Sequence, residues 1–85
     1  MKKIDMIKTG ENIKEKCEKA DLSPKDLSRV LDLDISTIYY WYQGKTLPRF
    51  DIAYTLAEMC GCTIDDFIIP IKEDSEKEEN ADAES

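Results

Sequence analysis

The chain predicts an all-α fold, a compact bundle of about five short helices. Three observations carry this reading. Apolar residues recur at i, i+3, i+4 spacing in successive windows, helix start and stop residues separate those windows at short intervals, and residues 23–44 (SPKDLSRVLDLDISTIYYWYQG) form two short helices joined by a tight turn. The rest of the chain is read as the scaffold around that pair.

In order, residues 1–8 (MKKIDMIK) scatter Ile4, Met6 and Ile7 among charges and suit an arm or a first half-turn. Thr9 is the expected N-cap of the first helix, which places Ile13, Cys17 and Ala20 on one face and Glu11, Lys14, Glu15, Glu18 and Lys19 on the others. Asp21 and Leu22 close it. The second helix opens on Ser23, Pro24 and Asp26, which supply a hydroxyl cap, a proline whose missing N–H costs nothing at the first position, and a carboxylate at the positive end of the dipole. Leu27, Val30 and Leu31 form its apolar stripe. Asp32-Leu33-Asp34 breaks the pattern, Asp34 is placed to cap a third helix carrying Ile38, Trp41 and Tyr42, and Gly44 stops it.

Residues 45–48 then make a loop in which Leu47 plugs the core and Pro48 delays the next helix. Phe50, Ala53, Leu56, Ala57 and Cys60 mark the fourth helix, with Gly61 at its end. Thr63-Ile64-Asp65-Asp66 starts a fifth through Phe67 and Ile68, which Pro70 stops. Phe67, Ile68, Ile69 and Ile71 are more hydrophobes than one short helix easily buries, so they either close the end of the core or face a partner, a dimer interface being the form considered. Residues 73–85 (EDSEKEENADAES) lack large apolar side chains and are expected to be a disordered acidic tail. The domain is therefore placed at 1–72, with its core at 9–69. A chain of this size supports a folding stability of only about 3–5 kcal/mol.

The formal charge of −7 is unevenly distributed. Residues 1–72 hold 11 Lys and Arg against 12 Asp and Glu, whereas the tail alone carries −6. The acidity therefore does not exclude a nucleic-acid partner for the folded part. Three cysteines, Cys17, Cys60 and Cys62, without a secretory signal or a membrane-length apolar run, point to a soluble cytoplasmic protein. There is no histidine, and closed zinc sites want four Cys or His ligands, so no metal or other cofactor is expected and the thiols are read as buried and inert. No nucleophile–base spacing and no phosphate-cradling glycine loop is present, so an enzyme is not expected.

Linked pieces at fixed spacing run through residues 9–68: Gly10-x-x-Ile13, Leu22-Ser23-x-x-x-Leu27, Leu33-Asp34-x-x-Thr37-Ile38, Gly44-Lys45-x-x-Pro48 and Leu56-Ala57-x-x-Cys60-Gly61-Cys62-Thr63-x-Asp65-x-Phe67. In this the chain resembles the helix-turn-helix domains of the phage repressor and Cro type, the XRE family. It departs from them at four places. Cys17 and Tyr42 stand where relatives often pair an arginine with a glutamate, an exchange of both partners that strands no charge. Ser28 replaces a common alanine, Asp32 a common turn glycine, and Pro24 a phosphate-binding glutamine.

Rotating the third helix by about 100° per residue puts Ser36, Tyr39, Tyr40 and Gln43 opposite the core face, with Ile35 on the flank. The resemblance implies base contacts at Ile35, Ser36 and Tyr40, in partial agreement. Ser36 and Gln43 suit base edges, and Ile35 a thymine methyl. None of these residues is cationic, so phosphate contacts are expected from Lys25, Arg29, Thr37, Lys45 and Arg49 around the motif. The leading expectation is a sequence-specific DNA-binding transcriptional regulator, a homodimer on double-stranded DNA. The alternative is a protein-interaction module, such as an antitoxin, anti-repressor or inhibitor, binding a protein partner through Ile35, Tyr39 and Tyr40. The acidic tail is expected either to solubilise the chain or to compete with phosphate for the basic positions.

Overall fold

The computed structural model describes residues 3–72; the expected acidic tail, 73–85, lies outside the described residues. Five helices follow one another: α1 (Met6–Lys19), α2 (Pro24–Leu31), α3 (Ile35–Tyr42), α4 (Phe50–Cys60) and α5 (Ile64–Phe67). α3 packs between α1 and α2, and α4 and α5 close the core from the other side against α1. Ile13, Cys17, Leu27, Ile38, Trp41, Leu56, Ala57 and Phe67 make one buried cluster to which every helix contributes. Among the described residues no helix is long and apolar enough to cross a membrane.

α1 begins a turn earlier than the sequence suggests. Asp5 is its N-cap, its carboxylate accepting from the Lys8 N–H at 3.0 Å. Thr9, the expected cap, is instead buried inside the first turns. Its hydroxyl accepts from the Ile69 N–H at 2.9 Å and donates to the Ile69 carbonyl at 3.3 Å. Asn12 adds a second tie, its amide donating to the carbonyls of Asp66 and Phe67 at 2.8 and 3.0 Å. The preceding arm pairs antiparallel with residues 69–71, the Asp5 N–H bonding Ile69 and the Ile71 N–H bonding Lys3. The two ends of the folded unit are thus knotted together by polar groups that burial would otherwise leave unsatisfied.

The central pair is built as its local signals dictate. Ser23 and Asp26 form a reciprocal capping box at the start of α2. The Ser23 backbone N–H, followed by its hydroxyl and then Arg29, holds the Asp26 carboxyl below its usual pKa. Asp32 ends the helix with φ 56°, in the left-handed region that relatives fill with glycine. Ser28 then staples the turn, its hydroxyl donating to the Leu33 carbonyl at 2.5 Å and its own carbonyl accepting from Leu33 at 3.0 Å. Asp34 occupies the N-cap of α3 without a side-chain capping bond, contrary to expectation. Thr63 and Asp66 repeat the capping box at α5, as the sequence indicates.

Two apolar positions are displaced from the expected core. Val30 is 57% and Phe50 80% exposed, because each sits at the edge of its stripe where no neighbouring element covers it. Phe67, considered for a dimer interface, is 2% exposed and belongs to the core, while Ile68 and Ile69 are half-buried and Ile71 is open. Nor are all the thiols buried: Cys17 is, but Cys60 and Cys62 are half-buried.

Candidate nucleic-acid interface

The placement of α3 depends on two glycines, Gly10 within α1 and Gly44 just after α3, that meet where the two helices touch. A Cβ on Gly10 would meet the Trp41 carbonyl oxygen at 2.2 Å and the Tyr42 carbonyl at 2.9 Å. Gly44, at φ 76°, lets the chain leave α3 directly against the backbone of Met6 and Ile7. Side chains at these two positions would hold the helices apart, so their absence sets how far α3 stands from α1. The sequence held a signal for this, since glycine inside a helix costs about 1 kcal/mol and is seldom placed there without a close approach to permit.

On that support α3 buries Ile38 and Trp41 and turns its other side outward. Ile35, Tyr39 and Tyr40 are 42%, 46% and 45% exposed, and Ser36 and Gln43 are exposed as well. All five expected base-reading residues therefore stand clear of the scaffold. They do not form one uniform row. Tyr39 makes an edge-to-face contact with Tyr42, ring centroids 6.3 Å apart, and with Gln43 it walls an open groove beside α1 and the start of α2. Tyr40 points the other way, with the Lys45 ammonium 5.5 Å from its ring centroid, a distance at which the ring face attracts the cation.

The residues expected at phosphates lie on α2 (Lys25, Arg29), on α3 (Thr37) and between α3 and α4 (Lys45, Arg49). Lys25, Arg29, Lys45 and Arg49 are exposed, and Thr37 is half-buried. Arg29 pairs with Asp26 at 3.3 Å and Arg49 with Asp51 at 3.1 Å. Pairs as exposed as these are worth about 0–1 kcal/mol, so a phosphate can take either guanidinium from its carboxylate at small cost. Sequence reading missed both pairings because their acids lie only two or three residues away in the chain and read equally well as helix-start charges.

Behind α3, Cys17 and Tyr42 fill the space that relatives give to an ion pair. The Tyr42 hydroxyl is buried close to Cys17 and has no hydrogen-bond partner among the described residues. Burial first, and then a neighbouring thiol, Cys60 beside Cys17 and Cys17 beside Tyr42, favours the neutral forms: the Cys17 thiol is pushed up to about 12 and Tyr42 is pushed up as well. Because the unfolded thiol and phenol ionise near pH 9 and 10, the unfolded chain sheds protons there while the folded chain keeps them, so folding stability falls as pH rises. Thermal melts between pH 6 and 11 are therefore expected to be level to about pH 8 and to drop progressively above pH 9; a melting temperature unchanged to pH 11 would show these groups to be solvated.

Comparison with known proteins agrees with this arrangement. The family model described as helix-turn-helix matches residues 13–67. No curated protein sequence matches the chain. Among solved structures, the restriction-modification controller protein C.AhdI from Aeromonas hydrophila is similar at a TM-score of 0.64 and 21% identity, over 74% of this chain and 96% of that one. A likeness at that identity establishes a shared fold. With the family match running from within α1 to the end of α5, the chain belongs to the XRE-type helix-turn-helix family of DNA-binding transcription regulators.

Proposed function

We propose that this chain reads specific DNA sequences in the major groove with Ile35, Ser36, Tyr39, Tyr40 and Gln43, while Lys25, Arg29, Thr37, Lys45 and Arg49 hold the flanking phosphates. The observation that carries this is the exposed outer side of α3, bearing hydroxyl, phenol, amide and aliphatic groups, with exposed Lys25, Arg29, Lys45 and Arg49 on α2 and in the loop after α3. The division of labour follows from chemistry: uncharged side chains discriminate base edges, and the surrounding Lys and Arg supply the sequence-independent attraction. Titration of random and genomic duplexes at low salt is expected to show binding that weakens steeply as salt rises. Absence of binding at low salt would remove the proposal.

Two copies are proposed to act together. The surface proposed for a second copy is Ile68, Ile69 and Ile71 of the expected interface, without the buried Phe67, extended by Phe50 and Tyr54, 80% and 60% exposed; Ile68 and Phe50 line one cleft with Ile4, Leu47 and Ile64. No residue of α2 or α3 lines that cleft, so a partner seated there leaves the reading helix free. Protein binding through Ile35, Tyr39 and Tyr40 is the second reading, favoured by the lack of any cation among the outward residues of α3 and its C-cap Gln43. It requires a stoichiometric partner that Tyr40→Ala abolishes in a chain without DNA affinity.

A further inference from the structure

The three thiols, set aside by the sequence as inert, do not share one environment. Cys17 is fully buried in the middle of α1, and Cys60, half-buried, is the last residue of α4. The Cys60 thiol donates to the Cys17 sulfur at 3.9 Å. A disulfide requires about 2.05 Å between sulfurs, so the pair must close by roughly half its separation. Cys60 is the better placed of the two to move, because it is the last residue of α4 and Gly61 follows at φ 71° with open space on the side where a Cβ would stand. Cys17, held on all sides by the core, supplies the fixed partner. Cys62 is half-buried, and its N–H is tied to the Ala57 carbonyl at 2.9 Å in the turn after α4.

We propose that Cys17 and Cys60 are a reversible oxidation site, at which a peroxide joins α1 to α4 through a disulfide and closes the whole helix-turn-helix into a covalent ring. The Cys60 thiolate attacks one peroxide oxygen, giving a Cys60 sulfenic acid and hydroxide. Cys17, losing its proton, then attacks that sulfur, forming the S–S bond and expelling a second hydroxide. The two thiols together lose two protons and two electrons, and the peroxide is reduced to two waters. Burial disfavours the Cys17 thiolate, so the second step sets the pace and accelerates with pH. The ring encloses α2, the turn and α3, and its chief effect is to deprive the unfolded chain of conformational freedom.

The test treats the reduced full-length chain with hydrogen peroxide and maps thiol-containing peptides without reduction. A Cys17–Cys60 cross-link within one chain is expected, reversed by dithiothreitol, formed faster at pH 8.5 than at pH 7, and accompanied by a melting temperature raised by at least about 5 °C. Cys62→Ser is expected to retain the cross-link and the shift, and Cys60→Ser to lose both. A Cys60–Cys62 bond, cross-links only between chains, over-oxidised thiols without a bridge, or a bridge that leaves the melting temperature unchanged or lower would each overturn the proposal.

Discussion

Gly10→Ala is expected to lower the melting temperature by more than 10 °C and to abolish DNA binding at temperatures where the wild-type chain is folded. The added methyl would lie 2.2 Å from the Trp41 carbonyl oxygen and 3.0 Å from the Gly44 nitrogen, both backbone atoms that cannot swing aside as a side chain would. Helix propensity alone argues the opposite, since alanine is favoured over glycine by about 1 kcal/mol inside a helix. Overpacking against a rigid neighbour costs about 1–3 kcal/mol and more when contacts fall this far below van der Waals distance. In a domain holding only about 3–5 kcal/mol, the net loss consumes most of the folding energy. Whatever folded population survives has α3 pushed away from α1, with the outward helix displaced. Thermal denaturation followed by circular dichroism decides the matter; a rise in melting temperature would mean that propensity outweighs the contact and that α1 and α3 are not closely apposed.

Tyr40→Ala and Lys45→Ala should separate base reading from phosphate attraction, although the two side chains touch. Tyr40 lies near the centre of the outward side of α3 and carries Lys45 against its ring. Its removal is expected to weaken binding to a selected site by about 10- to 100-fold, the loss of a discriminating contact worth roughly 1–3 kcal/mol, and to leave affinity for random duplex nearly unchanged. Lys45→Ala is expected to weaken selected and random duplexes alike and to reduce the slope of log K against log salt by about 0.9. The comparison is made by fluorescence anisotropy at several salt concentrations. Equal losses on both duplexes from Tyr40→Ala would reassign that tyrosine to the phosphates.

The elements legible in the sequence are those whose signals are local. The capping boxes at Ser23 and Thr63 and the left-handed stop at Asp32 each depend on residues within one turn of one another, and each forms as the residue types require. The outward side of α3 was legible for the same reason: rotation about a helix axis needs only the position of Ile38 and Trp41, and both are buried. What escaped is set by distant partners. Asp5 and Thr9 are both capable caps, and only the carbonyl and N–H of Ile69, sixty residues from Thr9, decide that Thr9 is spent elsewhere. Phe50 obeys the i, i+3 pattern, yet it stands in the first turn of α4, beyond the reach of anything that would cover it. Gly10 was visible as part of a family pattern, but its contact with the end of α3 exists only once the helices cross.

The pairing of Arg29 with Asp26 and of Arg49 with Asp51 adds a physical point that bears on affinity. On the proposed function, a nearly neutral folded unit would draw its attraction for DNA not from net charge but from where Lys25, Arg29, Lys45 and Arg49 stand, the two arginines each exchanging a weakly held carboxylate for phosphate. Binding is therefore expected to be strongly salt-dependent despite the overall acidity.

Selection of bound duplexes from a random pool by the full-length chain tests most directly whether α3 reads DNA. Enrichment of a near-palindrome is expected, its half-sites centred about 10–10.5 base pairs apart so that two copies of α3 enter successive major grooves on one side of the helix, with the enriched sequence lost when Tyr40→Ala is selected in parallel. A pool that shows no enrichment after repeated rounds at low salt, or one whose enriched sequence is identical for the Tyr40→Ala chain, would contradict base reading by the outward side of α3.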